Sequence, residues 1–225
     1  MTPVDPLTGH ELWADVYDTV PNPLLALEER QLLPWLGALE GLAVADVGCG
    51  TGRWMQRARD LGAKSVVGLD FSPNMLRQAA RKPGLRGRLV LGNVTQIPLK
   101  SSSMDSVICA FVLGYVSTLD AAVSELSRIM KPKAPLFCSD FHPSAHQRGW
   151  KRVFKKDGRN VEIKSTLQQT TQIANAFEGR FRLEQQADLQ LGEPERALFE
   201  EAGKLQFFDK AKGSPAVILF QWRRA

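Results

Sequence analysis

Three glycines beside two carboxylates are the residues of this chain whose types and spacing best suit ligand binding. Gly48, Gly50 and Gly52 follow an apolar run that contains Asp46, and a segment with helical periodicity begins after them. A turn between a strand and a helix can direct backbone N–H groups and the helix N-terminus at a ligand. Asp70 ends the next apolar run, where a carboxylate can accept hydrogen bonds from both hydroxyls of a ribose. The pattern predicts a nucleoside-containing ligand.

The spacing of the glycines distinguishes between two such ligands. They follow the pattern GxGxG, whereas dinucleotide-binding turns follow GxGxxG, and Arg53 stands where that third glycine is expected. A pyrophosphate needs a tight cradle, but the methionine end of S-adenosylmethionine (SAM) needs room for a zwitterion beside the turn. The turn therefore favours SAM, and a turn that binds NAD or no ligand is the alternative.

A histidine after a later apolar run is the candidate base. Methyl transfer depends mainly on alignment and exclusion of water, and a base is needed only when the acceptor must lose a proton. His142 lies two residues after Asp140, and its imidazole titrates near neutral pH. We predict His142 as this base, with a structural hydrogen bond at a loop start as the alternative. Asp140, His142 and His146 have the ligand types of a metal site without its spacing, so no metal is predicted.

Aromatic side chains indicate where an acceptor molecule would lie. Tyr17 is a second candidate catalytic residue, and Tyr115, His146 and Trp150 are candidate contacts of the acceptor. Ordinary packing is the alternative for each aromatic ring.

Positive charge is concentrated in residues 148–164, within a chain of formal net charge +5. Such a run is commonly a solvated surface, but it also fits the phosphates of RNA, which is therefore an alternative partner. Its cations are Arg148, Lys151, Arg152, Lys155, Lys156, Arg159 and Lys164, against Asp157 and Glu162.

The elements that must position these residues alternate between apolar runs and helix-length segments from about residue 42. This order predicts βαβ units and an α/β fold: a Rossmann-like, mostly parallel seven-stranded sheet with helices on both faces. The last strand is predicted to be antiparallel, at the sheet edge. The predicted strands are 42–47, 65–70, 88–92, 105–111, 134–140, 181–191 and 216–222.

We predict a single domain, 1–225. Two of its segments do not follow the alternation of strands and helices. Residues 1–41 are predicted to be helical, with Trp13, Val16, Tyr17 and Val20 on one stripe. Residues 141–165 interrupt the order of strands and helices and are predicted to be an insertion.

Composition excludes several classes of protein. The 225 residues are 44% hydrophobic and 24% charged, as in ordinary globular domains. No apolar run reaches 18 residues, so no membrane span is predicted. The N-terminus lacks the pattern of a secretory signal and the three cysteines form no CxxC pair, so we expect a cytoplasmic protein.

From about Leu42 to Asp140 the chain resembles the class I SAM-dependent methyltransferases, particularly the small-molecule group of the ubiquinone/menaquinone-biosynthesis type. The motifs that carry the resemblance are VADVGCGTG, GLDFSPNML (68–76), GNVTQIPLKSSSMDSV (92–107) and LSRIMKP (126–132). In resembling proteins a helical N-terminal segment often forms a lid over the cofactor, which implies such a lid at 1–41 and a substrate-side role for 141–165.

The resemblance also implies the cofactor contacts. The methionine moiety would be bordered by the turn and by the segment after the fourth strand, the ribose by Asp70, and the adenine by residues on either side. In chain order the implied residues are Asp46, Gly48, Cys49, Gly50, Gly52, Asp70, Phe71, Met75, Asn93, Val94, Ala110, Phe111 and Val112. The family usually has an acidic residue where Asn93 stands, and we expect the asparagine oxygen to accept from the adenine amino group instead. Phe111 and Met75 have simple core packing as their alternative.

The sequence thus predicts transfer of a methyl group from SAM to an O, N or C atom of a small molecule, with S-adenosylhomocysteine (SAH) as product. The segment CAFVLGYV (109–116) lacks the motifs typical of methylation of planar amino groups and of attack by cysteine on pyrimidines. An RNA methyltransferase that uses residues 148–164, and a SAM-binding protein without catalysis, are the alternatives. No oligomeric state is predicted.

Overall fold

The structure, a computed structural model that describes residues 2–166 and 168–225, contains nine strands in these ranges. Seven form one sheet and two form a separate hairpin. The strands are β1 (Ala43–Val47), β2 (Ser65–Asp70), β3 (Leu89–Leu91), β4 (Ser106–Ala110), β5 (Pro135–Phe141), β6 (Val153–Lys156), β7 (Arg159–Glu162), β8 (Phe181–Gln190) and β9 (Pro215–Arg224).

The described residues also form α-helices between and around these strands. The helix expected at 167–178 is α7, and position 167 lies outside the described residues. The helices are α1 (Pro6–Trp13), α2 (Pro23–Leu36), α3 (Arg53–Asp60), α4 (Pro73–Ala79), α5 (Leu119–Ile129), α6 (Pro143–Gln147), α7 (Thr170–Phe177), α8 (Arg196–Glu201) and α9 (Phe208–Ala211). Across 2–166 and 168–225, none of the helices combines the length and the apolar character that a membrane crossing requires.

The seven-stranded sheet has the order β3-β2-β1-β4-β5-β9-β8. Strands β1 to β5 pair in parallel, and β9 pairs antiparallel with both β5 and β8. The predicted seven strands and antiparallel last strand are therefore confirmed. The predicted position of β9 at the edge is wrong, because β8 forms that edge and β9 lies between it and β5.

Alternating side chains of the central strands bury both faces of the sheet. In β4, Val107 and Cys109 pack in the cluster that contains α5 and α7, while Ile108 packs on the opposite face with α2, α3, α8 and α9. Successive residues of a strand point to opposite faces, and a sheet covered on both faces needs continuous apolar runs. The predicted three-layer α/β architecture is confirmed.

The N-terminal helix is shorter than predicted from the stripe of apolar residues. Helix α1 ends at Trp13, and the next backbone hydrogen bonds run from Val16 to Trp13 and from Thr19 to Val16. These three-residue turns leave Tyr17 outside any helix, so the predicted single helical stripe is wrong. Asn22 then caps α2 by accepting from Leu24 N at 3.0 Å.

The insertion at 141–165 contains α6 and the hairpin β6–β7. Asp157 and Gly158 form its two-residue turn with φ of 49° and 76°. An Asp-Gly pair with positive φ at both positions is the preferred connection of tight hairpins, so this dipeptide was the sequence signal for the hairpin.

The N-terminal segment and the hairpin form one cover over the sheet. Val4 N donates to Glu162 O at 2.9 Å, Lys164 N donates to Val4 O at 2.8 Å, and Trp13 stacks on Phe154 at 5.1 Å. Two segments far apart in sequence therefore meet on the same side of the molecule.

Helix α2 is anchored to the sheet by a fully buried carboxylate. Glu28 is 0% exposed, and its oxygens accept from Arg53 at the start of α3 and from Ser139 Oγ on β5 at 2.7 Å. A buried charge is tolerated only when it is paired and hydrogen-bonded. This contact fixes the distance between α2, the first turn of α3 and β5.

Glu28→Ala is expected to lower the free energy of unfolding by about 3–5 kcal/mol, because Arg53 would lose its buried partner. Glu29→Ala is the matched control: Glu29 also contacts Arg53, at 3.1 Å, but its side chain is 23% exposed. This control is expected to cost about 1 kcal/mol or less. Urea unfolding followed by tryptophan fluorescence measures both, and equal losses would contradict the role assigned to Glu28.

Candidate cofactor and acceptor site

One cavity of about 1500 Å³ opens at the carboxyl ends of β1, β2 and β4. The strand order reverses between β1 and β4, and open α/β sheets bind their ligands at such a switch point. The cover described above and the segment 199–211 complete its walls. Among the predicted residues, those that line it are Tyr17, Gly48, Gly50, Asp70, Phe71, Met75, Asn93, Val94, Ala110, Phe111, Val112, Tyr115 and Trp150.

Three successive N–H groups of the glycine turn are held by the end of β2. Gly48 N and Cys49 N donate to Leu69 O at 2.7 and 2.9 Å, and Gly50 N donates to Asp70 Oδ2 at 2.8 Å. The expectation that these N–H groups point at a ligand is therefore wrong, because they are used inside the fold. These three N–H groups are therefore not available as an anion cradle.

Positive φ angles and one close approach explain two of the glycines. Gly48 and Gly50 have φ of 76° and 54°, a region in which other residues are strained. A Cβ on Gly48 would lie 2.2 Å from Val112 Cγ2, whereas a Cβ on Gly50 would meet no atom within 4 Å. Val112 therefore packs directly against the turn at Gly48. Both glycines line the cavity.

Asp70 connects the turn to the helix that follows β2. Its Oδ2 accepts from Gly50 N, and its Oδ1 accepts from Ser72 N at 2.9 Å. Burial raises the pKa of this carboxyl to about 6. Each oxygen can accept one more hydrogen bond, so the side chain can support the turn and bind two hydroxyls.

Asp46, at the end of β1, is buried and lies outside the residues that line the cavity. Burial raises the pKa of its carboxyl to about 7, and the nearby charge of Arg53 opposes that rise. Among the described residues, none hydrogen-bonds to Oδ2 of Asp46.

Two further predicted cofactor residues, Cys49 and Gly52, also lie outside the lining. Cys49 is buried, and burial raises the pKa of its thiol well above the ordinary value. A Cβ on Gly68 would meet its Sγ at 2.8 Å, and a Cβ on Gly52 would meet Leu85 Cδ1 at 2.6 Å. Their direct contact with a cofactor is not supported, because both pack the turn against its neighbours.

The side-chain oxygen of Asn93, which was expected to accept from adenine, is bonded within the protein. Its Oδ1 accepts from Thr95 N and from Thr95 Oγ1, both at 3.0 Å. A backbone N–H can only donate, so it fixes which end of the amide is the oxygen. The expected acceptor is thus already occupied, and Nδ2 is the polar group that Asn93 offers to the cavity.

Phe111 follows β4 in a conformation that is rare for a bulky residue. Its φ is 58°, and its N–H donates to Ser139 O at 2.8 Å. A left-handed conformation costs a non-glycine residue about 1–2 kcal/mol and concentrates at functional sites. Ala110, Phe111 and Val112 together form the wall of the cavity beside the glycine turn.

The structure does not bring the two predicted histidines to this cavity. His142 caps α6: its Nδ1 accepts from Ser144 N at 3.1 Å, and its Nε2 lies 3.4 Å from Asp188 Oδ1. His146 lines a smaller neighbouring cavity. The alternative for His142, a structural hydrogen bond, fits this geometry, and the assignment of His142 as base does not.

Asp140 is an ion-pair partner and does not form a metal site with these histidines. It pairs with Arg152, whose guanidinium lies 4.4 Å from the ring centre of Tyr115 and 4.5 Å from that of Phe141. Within 2–166 and 168–225, no group of histidine, cysteine or acidic side chains has the arrangement of a metal site.

Tyr17, Tyr115 and Trp150 all line the main cavity, and contact with an acceptor stays a prediction. Burial raises the pKa of the Tyr17 and Tyr115 hydroxyls above the ordinary value. Both therefore stay protonated and act as neutral hydroxyls, which removes Tyr17 as a base near neutral pH.

Sequence reasoning missed residues that the cover supplies. His10 and Trp13 of α1, Arg152 and Phe154 of the insertion, and Phe199 of α8 all line the cavity. Their sequence neighbourhoods carry no motif, because these residues reach the cavity only through long-range packing.

Four of the seven cations in residues 148–164 have partners within the protein. Arg152 pairs with Asp140, Lys151 with Glu162, Lys156 with Asp15, and Arg148 donates to Pro215 O. Much of this run therefore holds the insertion in place at the cavity.

Comparison with known proteins identifies the central part of the chain. A methyltransferase domain family matches residues 45–138. The chain is 36% identical over 138 residues to a demethylmenaquinone methyltransferase of Listeria welshimeri, with 59% of the chain and 58% of that protein covered. It is 31% identical over 147 residues to a 2-phytyl-1,4-naphtoquinone methyltransferase of Nostoc sp., with 60% and 64% covered. The chain thus spans about three fifths of the length of these relatives.

A solved structure agrees at the level of the fold. The structure of a SAM-dependent methyltransferase from Mesorhizobium loti matches with a TM-score of 0.70 at 21% identity, covering 90% of this chain and 100% of that chain. The sheet order, the glycine turn, the matched domain and these relatives agree with one another. Residues 45–138 therefore match a methyltransferase domain, and the chain is similar in sequence to the two quinone methyltransferases and in fold to a SAM-dependent methyltransferase.

Proposed function

We propose that this chain transfers a methyl group from SAM to a flat, largely apolar small molecule of the quinol type. The observation that carries the proposal is a single cavity with the glycine turn and Asp70 at one side and aromatic side chains around the rest. Pockets for one drug-sized ligand occupy about 300–1,000 Å³. A volume of about 1500 Å³ therefore leaves room for a second ligand beside a cofactor.

The residues at the turn fit SAM better than a dinucleotide. The N–H groups of Gly48, Cys49 and Gly50 are already bonded to β2, so they offer no cradle for a pyrophosphate. Asp70 lines the cavity, and each of its oxygens can accept one more hydrogen bond, which supports an interaction with ribose hydroxyls. When bound, SAM supplies an activated methyl group on a sulfonium.

The rest of the cavity fits an apolar, planar acceptor. Ten of the 18 Phe, Trp and Tyr residues of the chain line it. Aromatic rings bind flat apolar molecules by stacking and by edge-to-face contacts, and they stabilise a cation near their faces. Exclusion of water by the cover would favour transfer over hydrolysis.

The mouth of the cavity supports an acceptor with an apolar extension. Leu7, Val20 and Phe207 are three of the five large hydrophobic residues exposed in the described chain, and all three line the cavity. The other two, Leu91 and Leu183, lie on β3 and β8 at the two edges of the sheet. The names of the two relatives, which act on substituted naphthoquinones, agree with a ring that carries an apolar substituent.

Transfer from methyl-labelled SAM to 1,4-naphthalenediol, kept reduced under argon, tests the proposal directly. A labelled product that extracts into organic solvent is expected, with the small-molecule, RNA and protein fractions of a cell extract assayed in parallel. Label only in RNA would support the RNA alternative, and SAM binding without label in any fraction would support the non-catalytic alternative.

Asp70→Ala is expected to weaken SAM binding by at least about tenfold, because the ribose would lose charge-assisted hydrogen bonds. Isothermal titration calorimetry measures this change. Asp120→Ala, which removes an exposed carboxylate paired with Arg180, is the matched control. Unchanged affinity in a folded Asp70→Ala variant would remove Asp70 from the cofactor site.

Phe207→Ser is expected to raise the KM for a naphthalenediol with a long apolar substituent several-fold, while the KM for 1,4-naphthalenediol itself changes little. The reason is that Phe207, 56% exposed, lines the mouth and would contact only the substituent. Leu183→Ser, at a 42% exposed position on β8, is the control. An equal effect of the two substitutions would contradict a substituent bound at this mouth.

A further inference from the structure

His10 is a titratable side chain in the cavity wall that the cofactor contacts do not use. Its Nδ1 lies 2.7 Å from Pro6 O, within α1. A carbonyl oxygen can only accept, so Nδ1 carries the proton and Nε2 carries a lone pair. Among the described residues, none hydrogen-bonds to Nε2, and the side chain lines the cavity. His10 therefore presents an acceptor nitrogen in a wall made largely of apolar rings.

Aromatic rings surround His10 between the ends of β2 and β4. Its ring centre lies 5.3 Å from that of Phe71 and 4.7 Å from that of Tyr115, both edge-to-face, and 6.2 Å from that of Trp13. Phe71 follows Asp70, and Tyr115 lies close after Phe111. The imidazole thus lies among aromatic rings in the wall of the cavity that the glycine turn also lines.

Burial is the main reason why the imidazole stays neutral. Burial lowers the pKa of His10 to about 4, the hydrogen bond to Pro6 opposes this change, and the positive charge of Arg152 adds to it. Arg152 is itself paired with Asp140, the Tyr115 hydroxyl stays protonated, and Asp70 is hydrogen-bonded to the turn. At neutral pH the lone pair of Nε2 is therefore available.

We propose that Nε2 of His10 accepts the hydroxyl proton of a phenol- or enol-type acceptor during methyl transfer. This inference rests on the proposed function and adds to it the chemical class of the acceptor, a ring with an ionisable hydroxyl. It also assigns the proton acceptor to the N-terminal cover instead of the segment after β5.

The proton step balances within the cavity. The proton passes from the acceptor hydroxyl to Nε2, and the electron pair of the O–H bond stays on the acceptor oxygen. That oxygen, or a ring carbon next to it, would form the bond to the methyl group while the bond from the methyl group to the sulfur of SAM breaks, with its electron pair left on the sulfur of SAH. Where a ring carbon is methylated, the proton of that carbon would then pass through solvent to the oxygen, which restores the aromatic ring. Neutral His10 becomes an imidazolium. Because burial disfavours this cation, it releases the proton to solvent after methyl transfer.

A weak base suffices for this role. The hydroxyl becomes strongly acidic as its oxygen or ring gives electrons to the incoming methyl group, so the transfer is favourable late in the reaction. General base catalysis of this kind contributes about 10²–10⁴-fold to a rate.

His10→Asn tests the proposal, because the asparagine amide can still donate to Pro6 O but has no group at the position of Nε2. We expect kcat with 1,4-naphthalenediol to fall about 100-fold, while the Kd for SAM changes less than about threefold. The wild-type kcat is expected to be flat between pH 6 and 8, whereas that of the variant rises with pH, because the acceptor must then ionise unaided. A His10→Asn variant with normal kcat and a flat profile would overturn the proposal.

Glu11→Ala is the control for a merely structural role of this segment. Glu11 anchors α1 by accepting from Ser72 Oγ and from Asn74 N at 2.9 Å, so its loss loosens the cover without touching His10 Nε2. This variant is expected to raise KM and to keep the flat pH profile of kcat. The same pH dependence in both variants would also overturn the proposal, since it would trace the effect to the cover.

A nitrogen NMR measurement tests the inference without turnover. In ¹⁵N-histidine-labelled protein at pH 7, the His10 signals, identified by their loss in His10→Asn, should show a protonated Nδ1 and an unprotonated Nε2. Addition of 1,4-naphthalenediol with SAH should shift the Nε2 signal. The opposite tautomer or an unmoved signal would overturn the proposal even if label transfer succeeds. A shifted signal without label transfer would reject the proposed function and retain His10 as the hydroxyl contact.

Discussion

The bonding of the glycine turn to the end of β2 is the constraint on which the site depends. Leu69 O and Asp70 Oδ2 accept the N–H groups of three successive residues, so the turn cannot move independently of β2. This arrangement fixes the space beside Gly48 and Gly50 and directs Asp70 to the same edge of the sheet. It also commits the N–H groups of Gly48, Cys49 and Gly50 to bonds within the fold, which favours SAM over a dinucleotide.

The second constraint is the cover. The parallel sheet provides a shallow switch point, and the walls above it come from residues 2–20, the hairpin β6–β7 and the segment 199–211. The two covering segments are joined by the Val4 backbone pairing, and α1 is tied to the start of α4 through Glu11. Asp18 also accepts from Thr51 Oγ1 at 2.8 Å and pairs with Lys82, which links the cover to the glycine turn itself. The cover is therefore tied to the glycine turn at Thr51 and to the start of α4.

Local patterns predicted the parts of this structure that depend on local physics. The strands, the glycine turn and the position of Asp70 follow from apolar runs and short spacings, and all of these are confirmed. The order β5-β9-β8 was missed because long-range pairing of strands leaves no signature in either strand alone. Helix α1 was predicted too long because an apolar stripe does not show where hydrogen bonds change from four-residue to three-residue spacing.

The roles of the candidate site residues were also difficult to predict from local sequence patterns. His142 was favoured because it follows β5, but a histidine at a helix start also makes a good cap, and Ser144 and Asp188 surround it. His10 carries no motif and reaches the cavity only because α1 packs against α4 and β6. Asn93 was expected to accept from adenine, yet Thr95, two residues away, takes both acceptor positions of its oxygen. In each case a contact that sequence spacing did not reveal determines the role of the side chain.

Calorimetric titration of the purified chain with SAM, SAH and NAD tests the central claim most directly, because the three ligands share adenosine and differ in what the turn must accommodate. The bonding of the turn to β2 predicts that SAM and SAH each bind at one site per chain, and that NAD at the same concentrations neither binds there nor displaces them. Binding of NAD at this site with an affinity equal to that of SAM would contradict the account.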